Sequence, residues 1–284
     1  QVNDRYKTLE PLLAGSRPVR ETAVLHTPGS IWSKAPMKPK PSWNYTAPYH
    51  SVAGAHKALI EMHAEMGIIN SQVCLDSLGD YRALILSDQC ILSREEEEKI
   101  RKFVRDGGAL LATHETGMRD EGNKRLVDFA LADVFGVKYL SSGEVSNCYL
   151  RVTPELKPFG LPVMDVEAGG SYTKIALITA RKLLDLVPPY KGTRGGPPDT
   201  APEGPGVAIN TFGKGKAVYC ASDIFGGYYA KGTPNMRKLA AWMLAQAYPP
   251  EKRLLVMENA PVTVEMFYNR RPGERFIHLI NYCG

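Results

Sequence analysis

Residues 80–117 constrain the fold more than any other part of the chain, because they contain a strand–helix–strand unit in which both helix ends are marked. The short apolar runs at 83–86 and 109–112 are typical of strands that helices cover on both faces. Between these runs, Ser93 and Glu96 have the spacing of a capping box, and a Gly-Gly pair ends the helical pattern. The segment therefore predicts an α/β protein with a mostly parallel sheet.

The remaining elements follow from apolar periodicity and turn residues. The stretch at 138–204 contains a predicted strand at 148–152 and then becomes rich in proline and glycine, so we expect exposed hairpins and loops there. The other predicted elements are strands at 22–26 and 68–75, helices at 50–66 and 126–134, a hairpin at 206–221, a helix that begins at Thr233 and Pro234, and C-terminal antiparallel strands at 253–257, 262–268 and 275–282.

Three units are predicted along the 284 residues. Residues 1–20 are polar and resemble a connector from a preceding domain, residues 21–250 form the α/β domain, and residues 251–284 begin a C-terminal β segment that the chain truncates. Gln1 stands where an initiator methionine would be expected, and a strand-like run continues to the terminus. We therefore expect the chain to be a piece of a longer protein.

Composition argues against several classes of protein. Hydrophobic residues make up 44% and charged residues 23%, as in ordinary globular domains, and no apolar run approaches the roughly 20 residues that span a bilayer. The net charge of +5 is scattered along the chain, which argues against a nucleic-acid-binding surface. Phosphate-loop and nucleophile-elbow motifs are both missing, so we expect no nucleotide or other cofactor.

The five cysteines are widely spaced, and most lie in apolar, strand-like surroundings. No CxxC pair occurs, so neither a zinc site nor a thioredoxin-like motif is indicated. We therefore predict buried thiols, no bound metal and a reducing compartment, the cytoplasm.

Polar residues follow the apolar run at 109–112, where a parallel sheet would place a ligand crevice. His114, Glu115, Arg119 and Asp120 lie in this turn and are candidates for ligand binding or an interface. A polar turn capped by its own side chains explains the same residues, and we favour that interpretation because no HExxH motif or second cluster accompanies them. No catalytic residue is assigned.

Two further segments contain candidate binding or interface residues. Asp223 and Tyr228 follow another predicted strand end, where Asp223 could cap a turn, bind a sugar hydroxyl or reach an adjacent subunit. The Pro-rich loop at 28–49 includes Trp32 and Trp43 and could cover its own domain, a partner subunit or a ligand.

Three stretches of sequence together resemble a known family. They are DYRALILSDQCILSREEEEKIRKFVRDGGALLATHETGMRDE, DFALADVFGV and PGVAINTFGKGKAVYCASDIFGGYY. They resemble the class I glutamine-amidotransferase-like domain that follows the catalytic barrel in certain glycosidases, including family-42 β-galactosidases, where it is called the trimerisation domain, and enzymes related to α-fucosidases. The resemblance covers most of residues 20–250. It implies a flavodoxin-like, three-layer fold that mediates assembly and shapes a neighbouring active site.

The resemblance also implies which activities the chain lacks. True amidotransferases have a nucleophilic cysteine at the turn after the strand that corresponds to 109–112, and this chain has Thr-His-Glu-Thr there. In the parent glycosidases the catalytic carboxylates belong to the barrel, which this sequence does not contain. We therefore expect neither amidotransferase nor glycosidase activity from this chain alone.

Three hypotheses result. The first is a non-catalytic module that assembles a carbohydrate-active enzyme as a homo-oligomer, with a trimer among the expected states and a glycosidase barrel as its neighbour. The second is a stand-alone enzyme that uses His114 or Glu115 on a small metabolite or sugar. The third is a sugar-binding module in which Trp32, Trp43 and Tyr45 stack on pyranose rings. Carbohydrate is thus a candidate ligand, whereas membrane and nucleic acid are not expected as partners.

Overall fold

The computed structural model describes residues 2–30, 47–70, 75–143, 145, 147–190 and 196–283. Its α-helices are α1 Val2–Leu13, α2 Ala47–Glu61, α3 Arg94–Arg105, α4 Ala132–Phe135, α5 Ile224–Lys231 and α6 Pro234–Ala247, with 3₁₀ turns at Leu75–Asp80, Pro154–Phe159 and Pro250–Lys252. Its strands are β1 Arg17–Pro18, β2 Thr22–His26, β3 Met66–Asn70, β4 Ala83–Ser87, β5 Ala109–Thr113, β6 Val137–Gly143, β7 Cys148–Arg151, β8 Asp165–Gly169, β9 Tyr172–Leu177, β10 Arg181–Val187, β11 Gly204–Phe212, β12 Gly215–Cys220, β13 Val264–Arg271 and β14 Glu274–Asn281.

A large mixed sheet forms the centre of the molecule. Within the described ranges it has nine strands in the order β3-β2-β4-β5-β12-β11-β10-β7-β8. The pairings from β3 to β12 are parallel, whereas the four pairings from β12 to β8 are antiparallel. The α/β class is confirmed, but the expectation of a mostly parallel sheet holds only for the first half.

The stretch at 138–204 differs most from its prediction. It contains β6 to β10, and three of these strands, β7, β8 and β10, extend the large sheet. β7 corresponds to the predicted strand at 148–152. Val166 of β8 and Leu186 of β10 are buried, so the expectation of exposed hairpins was wrong for these two strands. Every second side chain of a strand points to the same face of the sheet. Apolar residues of this stretch therefore reach the core, although the connections between the strands are rich in proline and glycine.

Helices cover both faces of the sheet. One core contains buried residues of α2, α5 and α6, such as Leu59, Phe225 and Leu239. The other core contains buried residues of α3 and α4, such as Ile100 and Phe135. The described chain therefore has three layers, with helices on either side of the sheet.

The helix α3 forms as the sequence predicts. The Glu96 backbone N–H donates to Ser93 Oγ at 3.2 Å, and the Ser93 backbone N–H donates to Glu96 Oε2 at 2.6 Å. These two hydrogen bonds complete the capping box. Gly107 follows the helix with a φ of +120°, a conformation that L side chains rarely adopt, so the chain can turn into β5.

Two other predicted elements are corrected by the structure. The predicted strand at 253–257 is irregular, because the backbone N–H of Leu254 donates to a side-chain oxygen of Glu21 at 2.9 Å and not to a neighbouring strand. The predicted helix at 126–134 shrinks to α4. Asp128 accepts hydrogen bonds from the backbone N–H groups of Phe129 and Tyr139 at 2.8 Å, and this local pairing competes with a helix.

The ends of the other predicted elements shift by a few residues. The predicted helix at 50–66 is α2, which begins and ends earlier, and His63 follows it with a φ of +54°. The predicted strand at 68–75 is β3, and residues 71–74 lie outside the described part. The hairpin at 206–221 is formed by β11 and β12, as predicted.

Both ends of the chain meet in a separate small sheet. β1 pairs with β13, and β13 pairs with β14. The backbone N–H of Val19 also donates to the Tyr268 carbonyl at 2.8 Å. The domain boundaries at 20 and 250 stay predictions.

The prediction of buried thiols holds for three of the four cysteines in the described ranges. Cys148 and Cys220 are buried free thiols and Cys90 is buried, whereas Cys283 is free and exposed. Cys74 lies outside the described residues. Among the helices of the described ranges, none is both long enough and apolar enough to cross a membrane.

Candidate functional site

The parallel strands bring Asp88, His114 and Asp223 to one edge of the large sheet. Asp88 follows β4, His114 follows β5, and Asp223 comes shortly after β12. His114 Nδ1 lies 3.0 Å from Asp88 Oδ1, and the two residues are only 5% and 4% exposed. The carboxyl ends of parallel strands are where α/β proteins place ligands, so we name these three residues the carboxyl-edge cluster.

Two residues of this cluster have left-handed backbone conformations. Asp88 has a φ of +53° and His114 a φ of +50°, which is uncommon for residues other than glycine. Neighbouring groups hold both in place: Asp88 N donates to Thr113 Oγ1 at 3.0 Å, and Asp88 Oδ1 accepts from Glu115 N at 3.2 Å. The carbonyl of His114 accepts from the Tyr219 hydroxyl at 2.5 Å. The imidazole is therefore fixed in one orientation.

The other ring nitrogen of His114 has no such partner. Nε2 is buried and makes no hydrogen bond to any residue of the described ranges. A buried polar atom without a partner is unfavourable by about 1–3 kcal/mol and is rare in native proteins. His114 Nε2 is therefore the atom of this cluster at which a group from outside the described chain would be stabilised.

Asp223 caps α5, which was one of the roles that its position suggested. Its Oδ1 accepts from Gly226 N at 3.0 Å, and its Oδ2 accepts from the Ser51 hydroxyl at 2.6 Å. Burial raises the pKa of Asp223 above its usual value, and the negative charge of Asp88 raises it further, whereas His114 opposes the shift. Asp223 is thus electrically coupled to both other members of the carboxyl-edge cluster.

The raised pKa of Asp223 predicts a pH-dependent effect of Asp223→Asn. The wild-type carboxyl stabilises the fold most below its unfolded pKa of 3.8, and this contribution is lost as pH rises through the higher folded pKa. Asparagine can still cap α5 but does not ionise. We expect the stability of Asp223→Asn relative to wild type to increase from pH 4 to pH 7, measured by urea unfolding. The exposed Glu98→Gln is the control, and a difference that stays constant with pH would contradict the prediction.

Glu115 takes part in an adjoining polar network. Arg125 Nη2 donates to Glu115 Oε1 at 2.8 Å, to the Tyr139 hydroxyl at 2.7 Å and to Ser142 Oγ at 3.2 Å. Ser142 also donates to Glu115 Oε1 at 2.9 Å. These contacts tie the turn after β5 to β6.

Arg119 and Asp120 close the next turn of the chain. Arg119 Nη1 donates to the Asn123 carbonyl at 3.2 Å, and Asp120 Oδ1 accepts from the Lys124 backbone N–H at 2.9 Å. A turn held by its own side chains is what the sequence favoured for these two residues.

Tyr228 has different partners from the carboxyl-edge cluster. Its hydroxyl contacts Glu61 and lies 3.3 Å from Lys57 Nζ, between α2 and α5. Arg237 from α6 also bonds to Glu61, at 2.7 Å. Tyr228 therefore joins three helices and is not brought together with His114. Trp32, Trp43 and Tyr45 lie outside the described residues.

An aromatic pair lies beside Asp223. The rings of His50 and Tyr229 are 4.5 Å apart, and burial lowers the pKa of His50 while Asp223 opposes the shift. Tyr229 is 42% exposed, and Tyr49 next to His50 is 56% exposed. Exposed aromatic side chains of this kind are common in binding surfaces.

Sequence reasoning missed Asp88, Ser51 and His50. The signal for Asp88 was present, because it directly follows a predicted strand that is parallel to the strand before His114. Ser51 and His50 have no comparable signal, since their position depends on how α2 packs. In the described ranges, no group of three or more His, Cys, Asp or Glu side chains is arranged to hold a metal ion.

The chain is similar to known proteins in sequence family and fold. A family model described as the β-galactosidase trimerisation domain matches residues 20–247. No match was found among curated proteins. The α-L-fucosidase isoenzyme 2 from Paenibacillus thiaminolyticus has a similar structure, with a TM-score of 0.77, 18% identity, and coverage of 99% of this chain and 40% of the fucosidase.

Two β-galactosidase structures give comparable matches. The enzyme from Rahnella sp. R3 has a TM-score of 0.73 and 23% identity, with coverage of 99% of this chain and 38% of the enzyme. The enzyme from Bacillus circulans sp. alkalophilus has a TM-score of 0.70 and 19% identity, with coverage of 99% and 38%. The chain thus spans about two-fifths of each of these relatives, and at such identities the likeness shows the fold. Since the family model matches most of the sequence, the chain belongs to the family of β-galactosidase trimerisation domains.

Proposed function

We propose that this chain is a non-catalytic accessory domain of a glycosidase, which mediates self-association and shapes the active site of a neighbouring barrel domain. The family match over residues 20–247 carries this proposal. The similar structures are those of an α-fucosidase and β-galactosidases, each more than twice as long as the region they share with this chain. Catalysis would then reside in the parent enzyme outside this chain, and carbohydrate would be bound there or at the contact between the two domains.

The state of the thiols supports a non-catalytic role. His114 occupies the left-handed turn after β5, where an amidotransferase would have its cysteine. Burial raises the pKa of the Cys220 thiol to about 11, so this cysteine is protonated at neutral pH and is a poor nucleophile. The hypothesis of a stand-alone enzyme at His114 or Glu115 is not favoured, nor is that of a separate sugar-binding module.

We also propose a fold class and a cellular compartment for this domain. Five parallel strands with helices on both faces support a flavodoxin-like, amidotransferase-like layer as the origin of this domain. The free thiols of Cys148 and Cys220 favour a reducing compartment, and on this basis we propose the cytoplasm.

We propose that the carboxyl-edge cluster and the nearby aromatic residues face the partner. His114 Nε2 needs a hydrogen-bonding group that the described chain does not supply. Tyr49 and Tyr229 provide exposed aromatic area next to it, and tyrosine is enriched in protein interfaces. A trimer is the expected assembly, because the matched family is described as a trimerisation domain and a trimer can close as a ring.

The test is the mass of the chain in solution, measured by light scattering over a range of concentrations. We expect a closed oligomer with a mass that is a multiple of 31.3 kDa. Tyr49→Ala combined with Tyr229→Ala should weaken association by about tenfold or more, because such side chains can each contribute about 1–2 kcal/mol. Tyr282→Ala is the matched control, since Tyr282 is 64% exposed and follows β14 of the small C-terminal sheet.

Two results would contradict the proposed self-association face, and one further measurement tests the Pro-rich loop. A wild-type chain that stays monomeric at every concentration would contradict self-association by this chain. An oligomer that Tyr282→Ala disrupts as strongly as the double variant would mean that the proposed face is wrong. The same measurement on Trp32→Ala with Trp43→Ala tests whether the Pro-rich loop takes part.

A further inference from the structure

Two carboxylates lie where the small C-terminal sheet meets the large sheet. The main-chain carbonyl of Glu65 accepts hydrogen bonds from Glu21 N at 3.2 Å and Thr22 N at 3.0 Å, so the two glutamates are held side by side. Tyr268 of β13 is only 7% exposed at this junction, and its carbonyl accepts from Val19 N. The contact between the two sheets therefore contains ionisable groups.

Both oxygens of the Glu21 carboxylate accept hydrogen bonds from the segment that leads to the C-terminal sheet. Oε1 accepts from the Tyr248 hydroxyl at 2.7 Å, and Oε2 accepts from the Leu254 backbone N–H at 2.9 Å. This carboxylate lies close enough to Glu65 to act on it electrostatically.

The carboxyl of Glu65 has fewer hydrogen-bond partners than that of Glu21. The backbone of Tyr268 donates one hydrogen bond to it, but Oε1 is buried without a hydrogen-bond partner in the described ranges. Burial raises the pKa of Glu65 to about 7, the hydrogen bond from Tyr268 opposes this, and the charge of Glu21 adds to it. Arg20 favours the charged form, but only weakly.

A cleft of about 350 Å³ opens beside Glu65, between β3 and β13. Its other titratable or charged groups are Arg20, His56 on α2, His63 in the turn after α2, and Glu265 on β13. His63 Nε2 lies 3.4 Å from the Ala260 carbonyl, and its Nδ1 is buried without a hydrogen-bond partner among the described residues. The cleft gives water a short path to Glu65 if β13 moves.

We propose that Glu65 is a proton-controlled latch: the neutral carboxyl holds β13 against the large sheet, and the carboxylate, buried beside Glu21, favours release of β13 into water. The latch needs no self-association and is therefore independent of the proposed function. Because the folded pKa is raised, docking is strongest below the unfolded pKa of 4.5 and weakens as pH rises through about 7.

The test is hydrogen exchange of the whole chain, followed by mass spectrometry from pH 5 to pH 8 and corrected for intrinsic exchange rates. Peptides from β13 should open about tenfold more often at pH 8 than at pH 6, whereas peptides from β4 and β5 should not change. Glu65→Gln keeps the shape and cannot ionise, so its profile should be flat.

Two further variants make the result decisive. Glu265→Gln changes a carboxyl of the same cleft and should keep the wild-type profile. Arg20→Gln removes the positive charge near Glu65 and should move the midpoint to higher pH. A flat wild-type profile, or a wild-type response that survives in Glu65→Gln, would overturn the latch. If Glu65→Gln failed to fold, the wild-type profiles would decide, because an increase in opening that peptides of β4 and β5 share with β13 would overturn the latch.

Discussion

Replacing Gly54 by alanine should lower the free energy of unfolding by about 3 kcal/mol, because the helices α2 and α5 touch at this glycine. A Cβ at position 54 would lie 1.9 Å from the carbonyl oxygen of Phe225 and 3.2 Å from the Cβ of Tyr229. The obstacle is backbone of a second helix, so no side chain can simply rotate away. Either the two helices separate or the core beneath them, which includes Phe225, repacks.

The expected loss of stability is opposite to the usual effect of replacing glycine by alanine in a helix. Alanine in the middle of a helix is normally more favourable than glycine by about 1 kcal/mol, so the steric effect must exceed that gain. Urea unfolding followed by circular dichroism measures the difference. Gly79→Ala is the matched control, because a Cβ there meets no atom of the described residues within 4 Å, and its effect should stay within about 0.5 kcal/mol. Equal effects for the two variants would contradict the close approach.

The parts of the fold that the sequence predicted best are those specified by neighbours in the chain. The helix α3 has its start fixed by Ser93 and Glu96, three residues apart, and its end by Gly107. Strands β4 and β5 are recognisable from continuous apolar runs because both of their faces are buried. Each of these signals acts within a few residues, so no knowledge of the rest of the fold is needed.

The parts that were missed depend on contacts between distant residues. Strands β8 and β10 become core only because they extend the sheet beyond β11 together with β7. Leu254 is kept out of a strand by Glu21, a residue far away in sequence. Likewise, the sequence gives no sign that Ser51 reaches Asp223.

In the candidate site, too, local sequence predicts some residues, whereas others depend on contacts between distant residues. His114 was identified from its position after a strand, and that rule, applied to the neighbouring strand, would also have identified Asp88. The two residues that share this hydrogen bond both have a left-handed backbone, which their amino-acid types permit but do not demand. The partnerless Nε2 of His114 is visible only once its surroundings are known.

Asp88→Ala should be the most damaging single change within the carboxyl-edge cluster, with a loss of about 3 kcal/mol in the free energy of unfolding. Asp88 Oδ1 accepts from His114 Nδ1 at 3.0 Å and from Glu115 N at 3.2 Å. Alanine leaves both groups buried without this acceptor. It also tolerates a φ of +53° less well than aspartate does, so backbone strain adds to the loss.

Asp88→Asn separates geometry from charge at this position. Asparagine keeps an acceptor oxygen and also adopts the left-handed conformation, so we expect a loss of about 1 kcal/mol. Asp76→Ala is the control for removal of a carboxylate. Its side chain is 89% exposed and paired with Lys99, and such surface pairs contribute less than about 1 kcal/mol. Urea unfolding of the three variants should give the order Asp88→Ala, Asp88→Asn, Asp76→Ala from largest to smallest loss. If Asp88→Ala lost no more than Asp76→Ala, the buried pair with His114 would not be a structural element of this edge.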